Sequence, residues 1–115
     1  MTVPRLPLRE PTYFLLSSLL DGPLHGYAMI KRIEALSGGG VRLAAGTLYS
    51  ALDRLTAENL VEVEREETVN GRARRYYRLT GAGGEVLRAE AARMARAARV
   101  VTDPRMRGIR AVKPA

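Results

Sequence analysis

There is no cysteine in this chain of 115 residues. Without thiols there can be neither a disulfide framework nor a thiolate metal site, and a cytoplasmic setting is expected. Tryptophan is also absent, and there is one histidine. A lone histidine has no second imidazole with which to share a metal, so His25 is expected to cap or turn the chain. The longest apolar stretch, residues 13–20, falls far short of the roughly 20 residues that cross a bilayer. The N-terminus lacks the basic, apolar and small-residue blocks of a secretory signal, so no membrane partner is expected. The means of catalysis are missing as well. The glycines at 38–40 are not followed by the lysine and hydroxyl residue of a phosphate-cradling loop. Glu62, Glu64, Glu66 and Glu67 read as a charged strand and not as a buried acid–base pair. Neither an enzyme nor a cofactor is expected.

What is present is a 46% hydrophobic content and a net charge of +7. The first suffices for one domain with a small core, which a second copy of the chain would help to stabilise. The second points to nucleic acid or another anionic surface. Part of the charge lies in residues 103–115, where Arg105, Arg107, Arg110 and Lys113 face only Asp103. That tail has no apolar period and is expected to be disordered. Residues 1–10, with Pro4 and Pro7, are expected to be irregular.

Between these ends the apolar spacing marks four helices and two strands. Pro11 can open a first helix that is apolar on nearly all sides through residue 20, so one of its faces should meet another subunit. A second helix fits residues 26–36, with Tyr27, Ile30, Ile33 and Leu36 on its apolar stripe. The third carries Leu48, Ala51, Leu52 and Leu55 on one face and Gly46, Ser50, Asp53, Arg54 and Ala57 on the other. Asn59 can end it in a left-handed conformation. Val61 and Val63 alternate with glutamates, and Tyr77 and Leu79 with Tyr76 and Arg78, which is strand spacing about an Asn70-Gly71 turn. Thr80 can cap a last helix to about Val101. Its Leu87, Ala91, Met94, Ala98 and Val101 recur every three or four residues, a heptad seam suited to a partner helix.

Three helices, a basic hairpin and a long helix make a fold that is mainly α with a small β-hairpin (α+β). It is the order of a winged helix-turn-helix, with residues 11–79 as the DNA-binding unit and residues 80–102 as a dimerisation helix. The segments LDGPLHGYAMIKRIE, GTLYSALDRLTAENLVE and GRARRYYRLTGAG resemble the PadR family of bacterial transcriptional regulators, in the short branch with a single C-terminal helix. The resemblance covers about residues 11–100. It implies a homodimer joined through its first and last helices. It also implies repression from a pseudo-palindromic operator, usually relieved by a small-molecule effector or a stress signal. Two departures stand out. Ser50 occupies the place where the family usually has proline. Some short members hold flat aromatic drugs between tryptophans, which this chain lacks.

Double-stranded DNA is thus the expected partner. Tyr27 and Lys31 are assigned to the phosphate backbone, beside the free N–H groups that open the second helix. Thr47, Tyr49 and Ser50 offer hydroxyls near the start of the third helix, and Arg54 could reach a guanine edge. The dimer contact is expected from Phe14, Leu15, Leu19, Leu87, Ala91, Met94, Ala98 and Val101. In the hairpin, a three-residue loop of Asn70, Gly71 and Arg72 would set Val63 opposite Leu79 and Arg65 opposite Tyr77. It would also pair Glu64 with Arg78 and Glu67 with Arg75. Arg72 and Arg74 would then lack acidic partners and be free for DNA. The competing readings are a basic RNA-binding domain and a ligand-sensing or protein-interaction domain without specific DNA binding. Tyr76 and Tyr77 lie on opposite faces of their strand, so they cannot together form a base-stacking platform.

Overall fold

The computed structural model describes residues 6–108. Four α-helices and a three-stranded antiparallel sheet follow one another as α1 (Glu10–Ser18), β1 (Leu24–His25), α2 (Gly26–Leu36), α3 (Ala45–Ala57), β2 (Val61–Val69), β3 (Arg72–Leu79) and α4 (Gly81–Thr102). The sheet order is β1-β3-β2. This is the α+β winged helix that the element order implied, with one strand more than the hydrophobic spacing showed. A two-residue strand is too short to leave a periodic trace; β1 exists because Leu24 and His25 lie against Tyr77 and Tyr76 of β3.

The core gathers where α1, α2 and α3 cross. Leu48, Leu52 and Leu55 are all completely buried, the stripe expected of α3. Each such side chain stabilises the fold by about 1.5–3 kcal/mol relative to exposure. In α2 the buried positions are Gly26, Met29 and Ile33. The expected stripe through Tyr27 and Leu36 is therefore rotated: both are exposed. Tyr27 has a polar tip and Met29 none, so the helix turns its methionine inward. α3 ends as expected at Asn59, whose φ is 61°. Asn59 N–H donates to Thr56 and Leu60 N–H to Leu55, the paired closing bonds of a left-handed stop.

The hairpin corrects the expected register. Val69 pairs directly with Arg72, so the turn is the two residues Asn70 and Gly71 alone. Their φ values of 53° and 76° are those of the mirror-image turn favoured by strand twist. Nearer the base, a bulge between Val63 and Arg65 leaves Glu64 unmatched. Beyond it Val63 meets Tyr77 and Val61 meets Leu79. The apolar pattern required a one-residue shift; the extra residue sits inside β2 and not in the loop. The salt bridges change accordingly: Arg78 pairs with Glu62 at 2.5 Å and Arg75 with Glu66 at 3.3 Å.

The Thr80 hydroxyl accepts from Gly83 N–H at 2.9 Å and donates to the Asn59 carbonyl at 2.7 Å. It thus caps α4 and ties it to the end of α3. Gly83 is required there, because a Cβ would overlap the Leu60 carbonyl oxygen. The buried positions of α4 are Gly83, Gly84, Leu87 and Glu90. From Ala91 onward the helix runs free of the core for roughly 18 Å, at 1.5 Å per residue. Glu90, 1% exposed, is ion-paired to Arg93 and accepts from Leu8 N–H at 2.6 Å, which pins the segment before α1 onto α4. Disorder was expected from residue 103, yet Pro104–Arg107 form a 3-10 turn. Its Arg107 donates to the Val100 and Val101 carbonyls that α4 leaves open. Arg110 and Lys113 lie outside the described residues. No described helix is long and apolar enough to cross a membrane.

Candidate nucleic-acid interface

A cleft of about 550 Å³ opens between the tip of the hairpin and the N-terminal ends of α2 and α3. Its walls include His25, Tyr27, Tyr49, Arg72, Arg74 and Arg75. Four of the residues expected on DNA are therefore brought together: Tyr27, Tyr49, Arg72 and Arg74. The Tyr49 side chain packs on the backbone of Gly26, where any Cβ would collide with its phenol oxygen. That contact seats the start of α3 against the start of α2. Lys31 lies 4.9 Å from the centre of the Tyr27 ring, so its charge is held over an exposed aromatic at the same edge.

The charge of the cleft follows from which arginines are already engaged. Arg75 is tied to Glu66. Arg74, and not Arg75 as expected, stands opposite Glu67. The Glu67 carboxylate, however, is taken by Arg65 at 2.9 Å, and Arg65 also holds Glu64 at 2.7 Å. The Arg65 hydrogen bond is the main reason that the Glu67 carboxyl is held below its ordinary range. Among the described residues, Arg72 and Arg74 have no carboxylate within salt-bridge distance. The tip of the hairpin thus presents two guanidinium groups that, among the described residues, make no direct salt bridge.

His25 caps α2: its Nδ1 accepts from Ala28 N–H at 3.4 Å. The ring also meets Tyr76 edge-on, with centroids 5.5 Å apart. Burial is the first cause that lowers its pKa and the nearby Arg74 the second, while Glu67 opposes them. The imidazole is therefore neutral at pH 7, with Nδ1 as an acceptor. Arg65 covers Tyr76, 3.9 Å from its centroid, and Tyr77 is buried. Neither tyrosine presents a bare ring for stacking.

The other expected DNA residues lie elsewhere on α3. Ser50 is exposed on its outward face, and Thr47 is exposed on the flank toward α1. Arg54 is drawn to that same flank. It pairs with Glu58, one turn on, at 3.6 Å and donates to the Thr12 hydroxyl at 3.4 Å. The residues expected in a dimer contact divide in two. Leu15, Leu19 and Leu87 are at most 3% exposed within the single chain, so they fill its own core and offer no surface. Apolar spacing marks a face for burial without saying what buries it. Phe14 and Met94 are half-buried, and Ala91, Ala98 and Val101 are exposed on the free half of α4. The spacing did not mark Arg75, which reaches the cleft wall although it is paired, or Arg9, which precedes α1 in an irregular segment.

The pattern described as "Transcriptional regulator PadR-like family" matches residues 15–89. The chain is 50% identical over 82 residues to an uncharacterized 37.1 kDa protein in transposon TN4556 of Streptomyces fradiae, covering 71% of this chain and 22% of that protein. It is 41% identical over 73 residues to transcriptional regulator Rv3488 of Mycobacterium tuberculosis, covering 64% of each. The matches thus span about a fifth of one relative and just under two thirds of the other. The fold is that of Bacillus subtilis PadR, solved in complex with operator DNA, at a TM-score of 0.63 and 24% identity over 70% of this chain and 46% of that one. The cleft, the hairpin and the helix order described above lie largely within the matched span, and the chain belongs to the PadR-like family of transcriptional regulators.

Proposed function

We propose that the protein binds duplex DNA at a specific site as a homodimer and represses transcription from a pseudo-palindromic operator. The observation that carries this reading is the cleft beside α3, where the unpaired Arg72 and Arg74 meet Tyr27, Tyr49 and the N-terminal end of α2. Phosphate is the ligand that such a set suits: guanidinium groups, phenol hydroxyls and a helix N-terminus all bind it. α3 then lies in the major groove, with Ser50 and Thr47 near its leading end and the hairpin on the adjacent backbone or minor groove. Lys31 adds charge on the same edge. The free half of α4, with Ala91, Met94, Ala98 and Val101, packs on its counterpart in a second copy, joined by Phe14. Two copies place two α3 helices on successive half-sites, which accounts for a palindromic target. The protein acts in the cytoplasm, and a small-molecule effector releases it from DNA.

The test is to select genomic fragments with the purified protein and to titrate the selected duplex against a scrambled one at physiological salt. A dissociation constant of about 10⁻⁸–10⁻¹¹ M on the selected site, at least a thousandfold tighter than on the scrambled one, is expected. Equal affinity for both duplexes overturns the reading. A compound screen for release of the bound duplex tests the effector. Binding of single-stranded RNA in preference to duplex DNA is not expected, because His25 and Arg65 already cover Tyr76 and Tyr77 is buried.

A further inference from the structure

A helix lying in the major groove has a sugar-phosphate strand on each flank, since the groove, about 12 Å wide, is little wider than the helix. The wing cleft serves one flank of α3. On the other flank a second, smaller cleft of about 200 Å³ separates α3 from the start of α1. Arg9, Thr12, Thr47 and Arg54 line it, with apolar groups behind them and no carboxylate among the lining residues. Both Arg54 contacts, to Glu58 and Thr12, are long, and its side chain is still 52% exposed. A guanidinium has five N–H donors, so most of its capacity remains free. Arg9 is held differently. Its carbonyl accepts from Tyr13 N–H at 3.0 Å and so belongs to the first turn of α1. Its exposed side chain has no carboxylate within salt-bridge distance among the described residues.

We propose that Arg9 and Arg54, with the Thr47 hydroxyl, form a second phosphate clamp that grips the DNA strand across the major groove from the wing. This inference rests on the duplex-binding reading and sharpens it in two ways. It adds Arg9, which precedes the first helix. It also moves Arg54 from base reading to backbone contact, because Glu58 and Thr12 draw its guanidinium away from the centre of the outward face. Two clamps, one on each flank, would fix how deeply α3 sits and how it is rotated in the groove.

The experiment compares the wild-type protein with Arg9→Ala, Arg9→Lys and Arg54→Gln. The probes are alternating poly(dA-dT), the selected operator duplex and its scrambled form, over a range of salt. Each charge-removing variant is expected to weaken binding by the same factor on all three duplexes. Each should also flatten the slope of log K against log salt by about 1.8 for a bound dimer, the contribution of one phosphate of about 0.9 on each half-site. Arg9→Lys, which keeps the charge, should restore most of the slope. An unchanged slope in Arg9→Ala overturns the clamp, as does an Arg54→Gln loss confined to the operator. Melting curves matched to the wild type show that each variant is folded. If the wild-type protein binds no duplex at all, the broader reading has failed; if it binds and the slopes do not move, only the clamp has.

Discussion

Gly83 and His25 show how single residues set stability here. A methyl group at Gly83 would overlap the Leu60 carbonyl, which already accepts from Thr80 N–H at 3.1 Å. Backbone cannot yield as a side-chain tip can. Gly83→Ala is therefore expected to cost about 1–3 kcal/mol, read as a lower midpoint in urea. Gly81, two positions earlier, has nothing within 4 Å of where a Cβ would stand. Gly81→Ala should be neutral or slightly stabilising, and an equal loss in both variants would show that the close approach is not the cause. His25 sets a pH dependence. Its pKa is lowered in the fold, by burial first and then by Arg74, so the unfolded chain takes up the proton more readily. Stability is then full above the ordinary histidine range and falls as pH drops through about 6.5. Protonation also removes the Nδ1 lone pair that caps α2. Between about pH 7.5 and 5.5 the wild type should lose more melting temperature than His25→Asn, which can still cap. Equal losses would mean that carboxylates, and not His25, carry the dependence. Of these two residues, the histidine cap was legible, because a lone histidine ahead of a helix has no second imidazole to share a metal. The need for glycine at 83 was not, because it comes from Leu60, 23 positions away in the chain.

At the scale of elements the hairpin is the most informative. Its strands and the position of its turn about Asn70-Gly71 were readable, and so was the need for one residue out of step; the two-residue length of the turn was not. Which strand carries the extra residue was not. A longer loop and a bulge in β2 flip the alternation equally well, and both bring valines opposite apolar partners. The choice is made by Tyr77, which is buried beneath the sheet and also pairs with Leu24 of β1. The turn itself depends on Gly71, held at φ 76°. Gly71→Val should destabilise the tip by about 1–2 kcal/mol, the cost of a left-handed conformation for a residue with a Cβ. Because Arg72 follows directly, the same variant should weaken duplex binding more than it lowers global stability. Parallel losses in both would indicate that the tip carries no ligand contact. The rotated stripe of α2 has a similar origin. Tyr27 and Met29 both count as apolar in a periodicity, and only the packing of α1 and α3 against α2 decides which turns inward.

For the whole molecule the decisive element is the free half of α4. Val101 is 77% exposed, and Ala91, Ala98 and Val100 are exposed with it. Small side chains on one edge of a projecting helix let a second helix approach closely. Ala98→Glu combined with Val101→Glu should convert a dimer to a monomer in sedimentation and leave the melting of the core nearly unchanged. Affinity for the selected operator should fall steeply, because each half-site would be bound alone, while binding to non-specific DNA changes little. A wild-type protein that sediments as a monomer at micromolar concentration would sink the dimer reading. Leu15, Leu19 and Leu87 belong outside this test, since the single chain already buries them.

The sequence by itself determined the number and kind of the helices, the presence of a hairpin about Asn70-Gly71 and the family. Each of these depends on residues close together in the chain: apolar spacing, caps, a left-handed stop and three local motifs in order. Tertiary structure decided which apolar faces stay inside the chain, where β2 carries its bulge, and which arginines keep their charge unpaired. Those outcomes depend on neighbours brought together by folding. Glu67 lies opposite Arg74 but is taken by Arg65, and Arg54 turns to Thr12, 42 positions away. An arginine count shows how much charge the chain has; only the fold shows where it remains free.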